Sequence, residues 1–130
     1  MSILLEKSNQ NSICADLLMT KKHYNAAVSR AYYSSLQYVM YIIRNKLNIP
    51  ASELSPENNS NTHIRAQTLI SSHIEEKDED AFKFFQQAFL SLKTLRVKAD
   101  YKEYDFDEPT SNKAVTTSLR IRRTLEGLFK

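Results

Sequence analysis

The residues whose chemistry could serve a site are concentrated in one short segment, Arg96-Val97-Lys98-Ala99-Asp100-Tyr101. A guanidinium such as that of Arg96 can hold a phosphate and stabilise developing negative charge. An imidazole titrates near neutral pH and can move a proton, so His63 is the first candidate for a proton-transfer partner. Tyr101 is a poor general base, because an unperturbed phenol titrates near ~10. The segment therefore predicts a polar cluster that could bind a phosphate or act on one.

Other kinds of chemistry find little support in the chain. It contains no glycine-rich phosphate loop, no pair of histidines at metal-binding spacing and no nucleophile elbow. Cys14 is the single cysteine, which excludes an internal disulfide and argues against a cysteine-based metal site. We therefore expect neither a metal ion nor a cofactor.

Composition favours one helical domain over residues 1–130. The 130 residues include one Gly and three Pro, too few for the many turns of a sheet or barrel. Apolar residues make up 42% and charged residues 25%, which is ordinary for a globular domain with a core. The net charge of +3 is a mild excess, so charge alone does not identify a nucleic-acid binder. The amino terminus lacks a signal-peptide pattern and no window is apolar enough to span a bilayer, so a cytoplasmic location without membrane association is expected.

Apolar periodicity predicts five helices. They are expected at about Ile3–Met19, His23–Leu47, His63–Glu75, Asp78 or Glu79–Ala99, and after Pro109 to near the carboxyl terminus. Thr62 is the expected cap of the third helix and Thr110 or Ser111 that of the fifth, while residues 48–61 form a loop. The second helix is apolar over most of its circumference and should be central. The sequence thus predicts an all-α, up-and-down bundle of four main antiparallel helices plus one shorter helix.

Three stretches, taken in their order along the chain, resemble the HEPN domain family. They are His23-Tyr24-Asn25-Ala26-Ala27-Val28-Ser29-Arg30-Ala31-Tyr32-Tyr33-Ser34, Thr62-His63 at a helix start, and Arg96 to Tyr101, which is similar to the family's Arg-x-x-Ala-Asp-Tyr ending. The resemblance implies a HEPN-like helical fold and a homodimer. It also implies a role in a nucleotide- or RNA-related system of the toxin–antitoxin or antiviral type, sometimes beside a separate nucleotidyltransferase as partner protein.

The resemblance departs from the family's ribonuclease members at one point. Those members carry an Arg followed, after four to six residues, by a His, whereas the matching positions here are Tyr101, Lys102 and Glu103. The leading hypothesis is consequently a binding or partner module for RNA or a nucleotide, without efficient catalysis. Two alternatives remain open. One is a metal-independent endoribonuclease that combines Arg96 with a His from elsewhere, and the other is a structural dimerisation protein.

Each candidate site residue has a functional and a structural interpretation. The candidate ligand-binding residues are Arg30, Tyr33, Arg96, Asp100, Tyr101 and Tyr104, and the candidate catalytic residues are Arg96, His63 and Tyr101. In the structural interpretation, Arg96 to Tyr101 is a helix end, and a buried Arg30 pairs with a carboxylate such as Asp100 to fix two helices together. Likewise, Arg120, Arg122 and Arg123 form either an RNA-facing strip or a solvated helix face.

Overall fold

A computed structural model of the chain describes residues 2–54, 61–101 and 103–130. Its helices are α1 (Ile3–Thr20), α2 (Tyr24–Tyr41), α3 (Ala51–Leu54), α4 (Thr62–Lys77), α5 (Glu79–Tyr101) and α6 (Glu108–Leu128). A π-helical turn, Ile42–Lys46, continues α2 to nearly the expected end of the second helix. These ranges contain no strand, so the all-α prediction is confirmed. None of the described helices is both long and apolar enough to cross a membrane.

Helix α2 lies at the centre of the bundle, as its apolar circumference predicts. It contacts α1, α4, α5 and α6, and its side chains Val28, Tyr32 and Val39 are fully buried. Small residues let the neighbouring helices come close to it. On one side Ser8 of α1 donates a hydrogen bond to the carbonyl of Ser34, and on the other the hydroxyls of Ser35 and Ser118 lie 2.7 Å apart.

Pairs of contacting residues show the direction of each helix. Ser29 of α2 bonds Asp100 while Tyr32 contacts Phe89, so α2 and α5 are antiparallel. Helix α6 runs parallel to α2, because Tyr24 reaches Glu108 whereas Ser35 reaches Ser118. The four long helices α1, α2, α5 and α6 therefore alternate in direction along the chain. The shorter α4 follows the long connection after α2, which accounts for the predicted extra helix.

The predicted loop over residues 48–61 lies partly outside the described residues. Its described beginning forms the single turn α3, and the Leu54 side chain at the end of that turn is 3% exposed. A buried leucine at this point fixes the connection to the core. Among the described residues of this segment, only Asn48, at φ 56°, uses the left-handed region, which an asparagine tolerates better than most residues.

Both predicted helix caps are wrong by one or more residues. Asn61, not Thr62, caps α4, since its side chain accepts from the backbone nitrogen of Ile64 at 3.5 Å. Asp107 caps α6 through a 2.9 Å hydrogen bond from the backbone nitrogen of Thr110. Pro109 therefore belongs to the first turn of α6, where its missing N–H leaves nothing unpaired. Ser111, the other expected cap, is fully buried within the helix.

Candidate functional site

Helix α5 carries Arg96 into the interior on its buried face. The buried residues Phe85, Phe89, Leu92 and Arg96 follow each other by four, three and four positions, which is the spacing of one helical stripe. Arg96 is 7% exposed although the stripe is otherwise apolar. An ionised side chain in this position must find compensating contacts near the carboxyl end of the helix.

Three tyrosine rings surround the Arg96 guanidinium. Its central carbon lies 4.9 Å from the ring centroid of Tyr32, 5.7 Å from that of Tyr33 and 5.8 Å from that of Tyr101. Distances below about 6 Å allow a favourable cation–π interaction. Two of the rings belong to the central helix, so these contacts fix the end of α5 against α2.

Within the described parts of the chain, Asp100 supplies the carboxylate that pairs with Arg96. The two side chains form an ion pair at 3.7 Å across one turn of α5, and the Ser29 hydroxyl donates to the same carboxylate oxygen at 3.4 Å. The Arg96 Nε atom is nevertheless buried without a hydrogen-bond partner among the described residues. A buried donor without an acceptor is unfavourable, and it marks the place where an added acceptor would be most stabilising.

His63, in the first turn of α4, lies beside the same tyrosines. Its Nδ1 atom is 2.9 Å from the Tyr32 hydroxyl, and its ring centroid is 6.0 Å from that of Tyr33. Burial lowers the pKa of His63 below its usual value, and the positive charges of Arg96 and Lys93 lower it further. The imidazole is therefore neutral at pH 7.

The protonation of Tyr32 decides which nitrogen of His63 carries the ring proton. Burial raises the pKa of Tyr32 to about 12 although the nearby Arg96 charge opposes the change, so the phenol keeps its proton at neutral pH. Among the described residues, the Tyr32 hydroxyl lies 2.9 Å from Nδ1 of His63, and the Arg96 guanidinium is near enough to donate to the same phenol oxygen. The arrangement that leaves no buried hydroxyl proton unpaired has Tyr32 donating to Nδ1, with the imidazole proton on Nε2.

We define the Arg96 cluster as Tyr32, Tyr33, His63, Arg96 and Asp100. It brings together Tyr33, Arg96 and Asp100 from the candidate ligand-binding set and His63 from the candidate catalytic set. The exposed Tyr101 contacts Arg96 from outside the cluster. Arg96 and His63 are joined through Tyr32, which contacts both.

Arg30 lies beside the cluster but does not pair as expected. Its guanidinium donates to the Asn11 side chain of α1 at 3.0 Å and lies 5.2 Å from the Tyr33 ring centroid. The interpretation of Arg30 as the partner of Asp100 is therefore wrong. Ser29 and Arg30 point in different directions around α2, so Ser29 faces Asp100 of α5 while Arg30 faces α1.

Tyr104 belongs to a different set of contacts. Its ring is 5.0 Å from that of Phe106 and 5.3 Å from the Lys98 amine, and its carbonyl accepts from the Asn25 side chain at 2.6 Å. None of these contacts reaches the Arg96 cluster. Tyr104 and Phe106 instead fasten the connection between α5 and α6 to the start of α2.

The basic run near the end of α6 does not form one strip. The Arg120 guanidinium lies 4.8 Å from the Phe84 ring centroid, towards α5, whereas that of Arg122 lies 4.7 Å from the Tyr38 ring centroid, towards α2. Arg122 also pairs with Glu126 at 3.1 Å. Arg123 is exposed. Arg122 therefore does not share one face with Arg120, because residues two apart on a helix face opposite directions, whereas Arg120 and Arg123 are both exposed and three positions apart.

Sequence reasoning missed Ser29 and Lys93 as neighbours of the site. Lys93 lies one helical turn before Arg96, so the three-residue spacing could have placed its charge near the same face. Ser29 gave no such signal, because its bond to Asp100 joins residues 71 positions apart. No group of three or more potential metal ligands occurs within the described part of the chain. Comparison with protein-family models, with curated proteins and with solved structures finds no match for this chain.

Proposed function

We propose that the chain is a HEPN-like binding module that receives a phosphate group of RNA or a nucleotide at the Arg96 cluster. The observation that carries the proposal is the buried Arg96 guanidinium, whose Nε lacks an acceptor although Asp100 is close. Because Nε has almost no solvent exposure, a phosphate oxygen would supply that acceptor only after the side chains that cover it move. Guanidinium groups suit phosphate because they bind it through paired hydrogen bonds.

Local charge favours an anionic ligand. Arg96, Arg30 and Lys93 bring three positive charges to the neighbourhood, and Asp100 brings one negative charge. His63 adds none, since its pKa is lowered and the ring is neutral. The surplus of positive charge attracts a phosphate, and the exposed ring of Tyr101 offers a face on which a base can stack.

The hydrogen bonding of His63 favours binding over catalysis. Because Nδ1 is bonded to the Tyr32 hydroxyl, only Nε2–H is left to contact a ligand. This group donates to a phosphate oxygen but cannot accept the proton of an attacking 2′-hydroxyl. Tyr101 does not replace it as a base, because a phenol stays protonated at neutral pH. The cluster thus has donors for a phosphate and no free base.

One observation favours a second candidate function, a metal-independent endoribonuclease. Arg96 and His63 both contact Tyr32, so a single substrate phosphate could meet the guanidinium and the imidazole together. Catalysis would require Tyr32 to accept from Nδ1–H, which would free Nε2 to act as the base. The two functions therefore differ in the position of one proton.

The remaining parts of the proposal follow from the resemblance to HEPN domains. They are a homodimer and a role beside a separate nucleotidyltransferase in a toxin–antitoxin or antiviral system. A cytoplasmic location is also proposed, but not on the ground of that resemblance. A structural dimerisation protein would form the dimer without binding a ligand, so dimer formation and ligand binding have to be measured separately.

The experiment compares the wild-type protein with Arg96→Lys, Arg96→Ala and His63→Ala. Binding of a labelled single-stranded RNA is measured by fluorescence anisotropy, and cleavage of the same RNA is measured in the presence of EDTA. We expect wild-type binding without rapid cleavage, and a loss of about tenfold or more in affinity for Arg96→Ala. Arg123→Ala, which removes an exposed arginine, is the matched control.

Circular dichroism and size-exclusion chromatography establish that each variant is folded and report its oligomeric state. Unchanged RNA affinity in folded Arg96→Lys and Arg96→Ala would refute binding at the cluster. Rapid metal-independent cleavage that disappears in both Arg96→Ala and His63→Ala would refute the binding-module proposal and support the endoribonuclease.

A further inference from the structure

An open polar cavity lies between α5 and α6, away from the Arg96 cluster. Its volume is about 460 Å³, and its lining residues are Phe84, Gln87, Ala88, Ser91, Lys113, Thr117 and Arg120. Cavities of roughly 300–1,000 Å³ are the size at which small ligands are bound. We call this cavity the α5/α6 groove.

Helical periodicity explains why these side chains share one groove. On α6, Lys113, Thr117 and Arg120 are separated by four and three positions and so lie on one face. Phe84, Gln87 and Ser91 of α5 form the opposite wall by the same rule, and the two helices are antiparallel, so Arg120 meets Phe84 at one end. Ala88 is short and leaves room between the walls.

The electrostatics of the groove favour an anion. Lys113 and Arg120 are the only charged lining residues, and no carboxylate lines the cavity. Neither residue forms an ion pair within the described ranges. The Gln87, Ser91 and Thr117 side chains likewise have no hydrogen-bond partner in the described parts of the chain, so their donors are available to a ligand. Two cationic and three neutral polar side chains therefore line one cavity, and among the described residues none of them forms an ion pair or a side-chain hydrogen bond.

Arg120 is held in place for such a role. Its guanidinium lies over the Phe84 ring at 4.8 Å, a contact that restrains the flexible side chain while its N–H edge stays free. Restraining a binding group before the ligand arrives lowers the entropy lost on binding. Lys113 lies two turns away, at about 10 Å along the helix axis. A ligand that contacts both cations must therefore be longer than a single small anion.

We propose that the α5/α6 groove binds a phosphate-bearing ligand of nucleotide size through Arg120 and Lys113. The phosphate bonds the Arg120 edge and the hydroxyl of Ser91 or Thr117. Lys113 pairs with a second phosphate when the ligand is an RNA strand, and it donates to the base or sugar when the ligand is a single nucleotide. The ligand is a nucleoside phosphate, either free or as part of a single RNA strand. The groove lies on the side of α5 that faces α6, whereas Arg96 lies on the side that faces α2. This site therefore does not depend on the function proposed for the Arg96 cluster.

The experiment uses the full chain with Lys113→Ala, Arg120→Ala and the double variant, and with Arg123→Ala as an equally exposed control on the same helix. Anisotropy of a labelled single-stranded RNA is measured over a salt series, with uridine monophosphate and inorganic phosphate as competitors. The double variant should bind about tenfold more weakly or worse. The slope of log affinity against log salt should fall by about 1.4, since each lost phosphate contact on a single strand removes roughly 0.7.

The competitors identify the form of the ligand. Displacement of the RNA by uridine monophosphate supports a free nucleotide, and displacement by unlabelled RNA alone supports a strand. Wild-type affinity and slope in the double variant would overturn the groove proposal, even if Arg96→Ala abolishes binding. If RNA binding were lost only in the double variant and not in Arg96→Ala, the result would support binding in the groove and refute the function proposed for the Arg96 cluster.

Discussion

The Tyr32 hydroxyl lies 2.9 Å from Nδ1 of His63 and joins a fully buried side chain of α2 to the first turn of α4. The Arg96 guanidinium lies over the same tyrosine ring at 4.9 Å. The side chain of Tyr32 therefore contacts both the histidine and the buried arginine of the cluster. This geometry bears on which ring nitrogen of His63 carries the proton, and the two candidate functions differ at that point.

The stability of the protein should depend on pH through His63. Its pKa is lowered in the folded state by burial and by Arg96 and Lys93, while the unfolded chain keeps the ordinary value of 6.5. Between these two values the unfolded state binds a proton that the folded state does not bind, so the free energy of unfolding falls with falling pH. The contribution of His63 to the free energy of unfolding is constant at pH values above its pKa in the unfolded chain. The loss of stability is complete at pH values below its pKa in the folded protein.

Urea denaturation of the wild type and of His63→Gln at pH 8 and pH 5 measures this effect. Glutamine does not titrate, so the stability of the wild type should fall more than that of the variant on acidification. A wild type that gains stability over His63→Gln at the lower pH would show that the imidazole is not held neutral.

Replacement of Arg96 should destabilise the fold in a graded order. Arg96→Ala removes the contacts with three tyrosines and leaves a cavity, so we expect a loss of about 2–4 kcal/mol. Arg96→Lys keeps a charge for Asp100 but loses the planar stacking group, so a loss of about 1–2 kcal/mol is expected. Arg123→Ala, at an exposed position, should change stability by less than about 0.5 kcal/mol. Denaturant unfolding checks the order, and an alanine variant as stable as the control would contradict it.

The contact between α2 and α6 should depend on Ser118. Its hydroxyl donates to the Ala31 carbonyl at 2.8 Å and accepts from Ser35 at 2.7 Å. Ser118→Ala leaves the buried Ser35 hydroxyl without its acceptor, at a cost of about 1–2 kcal/mol. The double variant Ser35→Ala/Ser118→Ala should lose less than the sum of the single losses, because no unpaired hydroxyl remains. A thermodynamic cycle from urea unfolding measures this coupling, and simple additivity would argue against it.

Lys22→Gly should stabilise the protein. Lys22 follows α1 with φ 62°, and the backbone bonds from His23 to Leu18 and from Lys22 to Met19 close the turn in a Schellman arrangement. A lysine in this conformation costs about 1–2 kcal/mol that a glycine avoids, partly offset by the greater freedom of glycine in the unfolded chain. A net gain of about 0.5–1 kcal/mol is expected. Lys21→Gly is the matched control: Lys21 has φ −88°, so it should bring no gain, and equal effects of the two substitutions would refute the argument.

The sequence by itself predicted the helices well because helical periodicity is a local property. The fourth predicted helix, from Asp78 or Glu79 to Ala99, appears as α5, Glu79–Tyr101. On α6, Ala114, Ser118, Ile121 and Leu125 recur at helical spacing and are buried. The burial of Arg96 could also have been predicted, since it continues the stripe of Phe85, Phe89 and Leu92. The caps could not, because neighbouring polar residues compete for the same backbone nitrogens.

Only the tertiary structure decided which polar side chains meet. His63 and Arg96 are brought to one tyrosine by the packing of α4 and α5 on α2, and Asp100 pairs with Arg96, not with Arg30, because of the direction in which each side chain leaves its helix. Arg120 and Arg122 separate towards different helices for the same reason. Hydrogen bonds and ion pairs act over a few ångströms. The partner of a side chain is therefore fixed by the positions of helices distant in the sequence, which local patterns do not encode.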